Sequence, residues 1–260
     1  MRTALGLLFI LFASFPVQAR VFDFNSNWFA PYLRTTGGYS DLGKDLYRDS
    51  SGSSTVFSDS AELNVGVEMG FSVLLSDQLA VRFAVEGLQS QSVTATGIKS
   101  GTSNPYLDVE SQMNVFNPNL VFEANIKSTP TWRLFAYAGA GYATVKVGND
   151  YTITALATTD YSVPADYKEG WEATTISYQG GIGYEFALID NVTLNLDLGY
   201  RMIEVDEFEH NASATVIRGS GSTAVAKGQT VLDDNGRKVS LDMNGAFVGL
   251  AFKFYIPPIK

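Results

Sequence analysis

The sequence predicts an all-β fold, an eight-stranded antiparallel up-and-down transmembrane β-barrel. Three observations predict it. Apolar and polar residues alternate with period two over segments long enough to cross a bilayer. The connections between those segments alternate between short and long. After residue 19, no apolar run is long enough for a membrane-spanning helix.

Residues 61–73 (AELNVGVEMGFSV) give the clearest alternation. Leu63, Val65, Val67, Met69, Phe71 and Val73 share one face; Asn64, Gly66, Glu68, Gly70 and Ser72 share the other. Residues 79–87 repeat it, with Leu79, Val81, Phe83 and Val85 against Ala80, Arg82, Ala84 and Glu86. Residues 175–188 set Ile176, Tyr178, Ile182, Tyr184, Phe186 and Leu188 against Ser177, Gln179, Gly181, Gly183 and Glu185. Residues 192–202 set Val192, Leu194, Leu196, Leu198, Tyr200 and Met202 against Thr193, Asn195, Asp197, Gly199 and Arg201. Four weaker strands complete the set. They are 29–39, Gly-rich at its end; 113–126; 132–144, whose small and aromatic residues leave its facing open; and 241–256, which closes the chain.

Seven connections join eight strands. Residues 40–60, 88–112, 145–173 and 203–239 are long; 74–78, 127–131 and 189–191 are short. The short ones carry turn chemistry in Ser76-Asp77, Thr129-Pro130 and Asp190-Asn191. The long ones are rich in Ser, Thr, Gly and Asp. Val216, Ile217, Val231 and Leu232 suggest that the last loop continues as a hairpin above the membrane. With an even strand number, both termini lie on the short-turn side.

The charged face decides between a membrane barrel and a soluble one. Eight strands enclose a space just wide enough for side chains. Bulky apolar residues from every strand do not fit there, whereas small and charged ones do. The bulky face therefore points to lipid, and closure satisfies the backbone groups that lipid cannot. Aromatics fall into two groups, as interfacial belts require. Trp28, Phe29, Tyr32, Trp132, Phe254 and Tyr255 mark the short-turn ends; Tyr39, Phe116, Tyr142, Tyr178 and Tyr200 mark the long-loop ends.

Residues 1–19 read as a signal peptide. Met1-Arg2 is a short positive start, residues 5–15 are apolar, and Val17-Gln18-Ala19 is a small-residue cleavage site. Residues 20–260 then form the barrel domain. There is no Cys, which removes disulfides, thiolate metal sites and lipoprotein anchoring. Loss of Arg2 leaves 17 Lys and Arg against 27 Asp and Glu, a net charge of −10 that argues against nucleic acid as a partner. A mean hydropathy near zero is too low for a helical membrane protein and fits strands that show lipid at every second residue.

The amino-terminal segment, the strand-turn-strand modules, AYAGAGY (136–142) and the terminal VGLAFKFYI resemble the small outer-membrane β-barrel superfamily, which contains OmpX, the OmpA transmembrane domain and OmpW. The resemblance is one of architecture and covers nearly all of residues 20–260. It implies localisation in the bacterial outer membrane of a Gram-negative cell envelope. It implies outer-membrane lipid and lipopolysaccharide as surroundings, and the barrel-assembly machinery as a partner during insertion. Phe252, Phe254 and Ile256 then carry the assembly signal. The family usually ends on an aromatic residue, whereas Pro257-Pro258-Ile259-Lys260 follow here.

The candidate site is a lumen charge network: Glu68, Arg82, Glu86, Glu123, Glu185, Asp197 and Arg201. Arg82 with Glu86, Glu68 with Arg82, and Asp197 with Arg201 are the expected pairs, with Lys253 joining near the periplasmic end. Unpaired charges there are costly. A plugged, non-enzymatic monomer follows, serving envelope structure or surface interaction through four long outer loops. The alternative is a small channel or a route for hydrophobic molecules, as the OmpW resemblance implies. A further alternative is a lipid A-modifying hydrolase built on His210, Ser213, Glu207 and Glu209; one histidine in an acidic loop reads first as solvated surface. Glu204, Asp206, Glu207 and Glu209 could draw a divalent cation, but no loop has EF-hand spacing. No cofactor, catalytic or metal site is assigned.

Overall fold

The computed structural model describes residues 28–40, 53–57, 63–99, 103–161, 166–218, 221–233 and 236–256. The expected signal peptide and the Pro pair after Ile256 lie outside the described residues. The barrel strands are β1 (Phe29–Tyr39), β3 (Leu63–Ser76), β4 (Leu79–Ser90), β6 (Pro105–Ser128), β7 (Trp132–Ile153), β8 (Tyr167–Ile189), β9 (Val192–Val205) and β14 (Gly245–Phe254). Outside the ring lie β2 (Ser53–Phe57), β5 (Val93–Lys99), β10 (Glu209–His210), β11 (Ala214–Arg218), β12 (Gly221–Val225), β13 (Leu241–Asp242) and one helix, α1 (Ala155–Tyr161).

Neighbouring strands pair antiparallel in the order β1-β3-β4-β6-β7-β8-β9-β14, and β14 returns to β1 from Tyr32↔Lys253 to Tyr39↔Ala246. The sheet has no open edge at membrane depth, so each strand finds partners on both sides, as lipid demands. Three tight turns close one end. Ser76 Oγ accepts the N–H groups of Gln78 and Leu79, and Thr129 Oγ1 accepts that of Trp132. Asn191 takes the left-handed conformation (φ 62°) that a two-residue turn needs and that Asn tolerates. Ile256 bridges Phe29 at this same end, which puts both described ends of the barrel beside the short turns.

The lipid-facing band follows the alternation. Leu33, Val67, Met69, Phe83, Phe122, Ile182, Leu196, Leu198 and Val248 point outward and are exposed. Tyr39, Phe116, Tyr142, Tyr178 and Tyr200 form the outer belt. The inner belt differs from expectation. Trp28 and Phe254 point outward, but Tyr32 and Tyr255 are buried in the lumen, where their hydroxyls donate to Glu68 and Glu185.

Two expected loops are strand instead. β6 has 24 residues, β7 22 and β8 23. About 9–11 residues cross a bilayer, so these strands rise well above it. Most of 88–112 and 145–173 therefore belongs to a β-wall in which β2 pairs β5, β5 pairs β6 and β10 pairs β8. The closing strand is also not continuous: β13 pairs β9 alone, and Met243-Asn244 separate it from β14. The Asn244 carboxamide fills that break by accepting the Ile203 N–H at 3.0 Å. In the last loop, β11 and β12 form the expected hairpin, but Leu232 bridges Lys238 in a separate turn.

The wall reverses the polarity of the barrel. Along β7, Leu134, Ala136, Ala138, Ala140 and Tyr142 face out while Arg133 faces in. Higher up, Lys146 and Asp150 face out, and Ala143, Val145 and Val147 are buried. β8 does the same, with Tyr184, Ile182 and Tyr178 outward below and Glu172 and Lys168 outward above. Lys146 pairs with Glu172 at 3.2 Å and Lys168 with Asp150 at 2.6 Å, both in solvent. The barrel is inside-out where lipid surrounds it and an ordinary water-soluble fold where lipid ends. The physical cause is the change of outer solvent, since strand parity continues through the boundary.

Candidate functional site: a lumen closed at two levels

The lower level is a charge network. Among the described residues, Arg34, Arg82, Arg133, Arg201 and Lys253 are buried in the barrel with Glu68, Glu86, Glu123, Glu185 and Asp197. Five cations meet five anions, so the array is neutral, as burial requires. The seven residues expected from the sequence all lie in this network, but with other partners.

Arg133 and Glu185 face each other directly across β7 and β8. Arg133 Nη2 lies 2.6 Å from both Glu185 Oε2 and Glu123 Oε2. Lys253 Nζ lies 3.0 Å from Glu185 and 3.4 Å from Glu123. Arg82 Nε stands 2.9 Å from Glu123 Oε1 as an ion pair without hydrogen-bond alignment. Its guanidinium packs between the rings of Tyr32 and Tyr137, 5.9 and 5.2 Å from their centroids. That places Arg82 between the periplasmic cluster and a middle one.

In the middle cluster Arg34 donates to Glu68 at 2.8 Å and grips Asp197 with two nitrogens, at 2.5 and 3.1 Å. Glu68 is directly opposite Arg34, but Asp197 belongs to β9, two strands away across β14. Gly249 makes the reach possible. It stands opposite Asp197, and a Cβ there would lie 2.7 Å from both Arg34 Nε and Asp197 Oδ1. Higher still, Arg201 donates to Glu86, whose other oxygen accepts Asn117 Nδ2 at 3.3 Å.

The pairs Arg82–Glu86 and Asp197–Arg201 do not form. Each would join residues four apart on one strand, roughly 13 Å along the chain. Glu68–Arg82 fails in the same way, because Arg82 stands opposite Ser72 and Glu68 opposite Glu86. Arg34 and Arg133 were missed. Arg133 shares its parity with Phe135 and Tyr137, and that aromatic company hid its inward facing. Phe135, Tyr137 and Phe247 are large and yet lie inside. Inward glycines make room for them. A Cβ on Gly183 would meet the Phe135 ring at 2.3 Å, and one on Gly199 would meet Tyr137 Oη at 2.3 Å and Phe247 at 2.6 Å.

The upper level is apolar. Val93, Met113, Val115, Val145, Val147, Trp171, Ile203 and Val205 line the wall. Phe208, Val231, Val239, Leu241 and Met243 come from the last loop and pack into the same cluster. That loop folds inward over the barrel mouth instead of standing away from it. Met243 N–H donates to Ile203 O at 2.9 Å, and Val231 N–H to Phe208 O at 2.7 Å. The apolar cluster has no counterpart in the expected network, though the change of pattern along 105–115 and 143–151 carries its signal.

His210 is corrected from surface to interior. Its side chain is fully buried, with Nδ1 3.3 Å from Glu169 Oε1. The other members of the hydrolase reading are turned to separate partners. Ser213 Oγ accepts the Lys227 N–H, and Glu207 accepts from Thr230 and Lys238. Those two donors hold the Glu207 carboxyl below the usual carboxylate range. Glu209 is exposed on the outer face. Glu204 accepts Asn244 Nδ2 at 2.8 Å. Phe252, Phe254 and Ile256 lie on the outward face of the closing strand.

Closure of the ring, with charge inside and a bare apolar band outside, decides the architecture. The chain has the fold of the small outer-membrane β-barrels. No family model and no curated protein matches the sequence. Solved structures similar to it include the outer membrane protein OprG of Pseudomonas aeruginosa, at 12% identity and TM-score 0.44 over 92% of this chain and 100% of that one. A major outer membrane protein of Thermus thermophilus is similar at 14% identity and TM-score 0.47, over 87% and 99%. Neisserial surface protein A is similar at 12% identity and TM-score 0.39, over 87% and 97%.

Proposed function

We propose that the protein is a closed, non-enzymatic barrel of the bacterial outer membrane, whose function lies in the β-wall and loops it presents outside. One observation carries the reading: the lumen is filled twice, by a neutral ion-pair network at membrane depth and by an apolar cluster above it. Opening a path for ions or hydrophobic molecules would require breaking buried pairs and lifting the last loop. Either event alone leaves the other level in place. On this reading the protein is a monomer surrounded by outer-membrane lipid and lipopolysaccharide. It is exported by cleavage after Ala19, and the assembly machinery reads Phe252 and Phe254 on the outward face of β14 together with Ile256 just beyond it.

Planar-bilayer recording of refolded protein tests the closed lumen. The expected result is a silent bilayer. Stable, reproducible conductance steps would sink the reading in favour of a channel. Replacing His210 by Ala should leave lipid A composition unchanged in cells that carry the protein.

A further inference from the structure

The single histidine of the chain sits where the last loop is fastened to the wall. His210 stands opposite Trp171 in the short β10–β8 pairing. Its N–H donates to Gln229 O at 2.9 Å, and its carbonyl accepts the Gly228 N–H at 2.8 Å. Asn211 N–H donates to Gly170 O at 2.9 Å, and the Trp171 and Phe208 rings meet at 6.0 Å. The residue thus joins β8 to two parts of the loop that covers the barrel mouth. Its imidazole faces Glu169, and both side chains are fully buried.

The outward side of the same pairing is acidic. Beside His210 lies a cavity of about 420 Å³, lined by Glu172 from β8, Glu207 and Glu209 from the loop, and Lys227 from the turn after β12. Glu209 and Glu172 stand opposite each other on the outward face of the pairing, and Glu169 is the carboxylate that meets the imidazole on the inward face. Two of the carboxylates have cations of their own: Lys146 pairs with Glu172 and Lys238 with Glu207. A charge-assisted bond from imidazolium to carboxylate is about twice as strong as a neutral one.

We propose that His210 and Glu169 form a pH-sensitive clasp, which locks the covering loop onto β8 when the imidazole is protonated and loosens it when the imidazole is neutral. The loop itself is the element under control, so the proposal rests on the closed-barrel reading only for its consequence. Protonation gains a partner in the docked state. The stabilisation is therefore present on the acid side of the imidazole range and is lost as pH rises through it.

Hydrogen exchange on the refolded full chain tests this, read as protection factors corrected for intrinsic exchange. Peptides covering 206–213 and 226–243 should be about tenfold better protected near pH 5.5 than near pH 8. His210→Gln can still donate a hydrogen bond to Glu169 but does not titrate, and its protection should not change with pH. Glu169→Gln keeps the imidazole and removes its carboxylate; the pH effect should shrink below about twofold. It serves where the first variant does not fold. Equal protection at both pH values in the wild type, stronger protection at high pH, or a pH effect that persists in His210→Gln would each overturn the clasp. Conductance plays no part in this readout, so failure of the closed-lumen reading is distinguishable from failure of the clasp.

Discussion

Arg133 touches three partners in the periplasmic cluster: Glu185, Glu123 and, through Nη1, Asn125 at 3.2 Å. Removing it leaves Glu185 with Lys253 alone and Glu123 with Lys253 and Arg82, so five buried anions face four cations. Arg133→Met is expected to cost about 3–5 kcal/mol in urea unfolding of the refolded barrel. Adding Glu185→Gln should recover part of that loss, because the surplus negative charge goes with it. Such charges were legible as a set and not as pairs. Period-two parity assigns Glu68, Glu86, Glu123 and Asp197 to the inside from sequence alone. Which cation each one meets depends on register between strands that are distant in the chain, as Arg34 and Asp197 are. It also depends on a missing side chain, Gly249, which no pattern of charges announces.

At the scale of the element, β7 carries the clearest lesson. Its outward row runs from Leu134 to Tyr142 and then to Lys146 and Asp150; its inward row runs from Arg133 to Val145 and Val147. The strand never changes parity, but the meaning of each face reverses at the membrane surface. A reading that seeks one apolar face ends the strand at that point and names the rest a loop. Adjacent substitutions separate the two faces. Val145→Asp puts a charge into the upper apolar cluster and should destabilise the outer half by more than about 3 kcal/mol, seen as lost hydrogen-exchange protection in 143–151 and 167–173. Lys146→Ala, one residue on, removes only a solvent-exposed pair and should stay within about 0.5–1 kcal/mol of wild type. Equal effects at the two positions would mean that residues 145–151 do not continue the strand.

The whole molecule combines two folds in one sheet. Its lower half is held by lipid outside and ion pairs inside; its upper half is held by an apolar cluster with water outside. The boundary is measurable. Fluorophores attached at positions 182 and 198 should be quenched by brominated acyl chains, whereas one at 168, where Lys168 is 81% exposed beside Asp150, should be quenched only by aqueous quenchers. Lipid quenching at 168 would place the wall inside the membrane. The covering loop belongs to this scale too. Phe208, Val231 and Met243 are scattered over a segment without steady alternation, and they become one cluster only because the barrel offers an apolar mouth to fill.

By itself the sequence determined the eight barrel strands, the three tight turns, the sidedness of the barrel's two described ends and the inward facing of Glu68, Arg82, Glu86, Glu123, Glu185, Asp197 and Arg201. These follow from local chemistry: the two-residue period of an extended chain, and turn residues that accept unusual dihedrals or cap free N–H groups. Tertiary structure alone decided the ion-pair partners, the inward aromatics over their glycines, the height of the wall, and the burial of His210 against Glu169. Each depends on atoms brought together from different strands. The energy that selects among such arrangements, the cost of leaving a charge or an apolar side chain without a neighbour, exists only once the ring has closed.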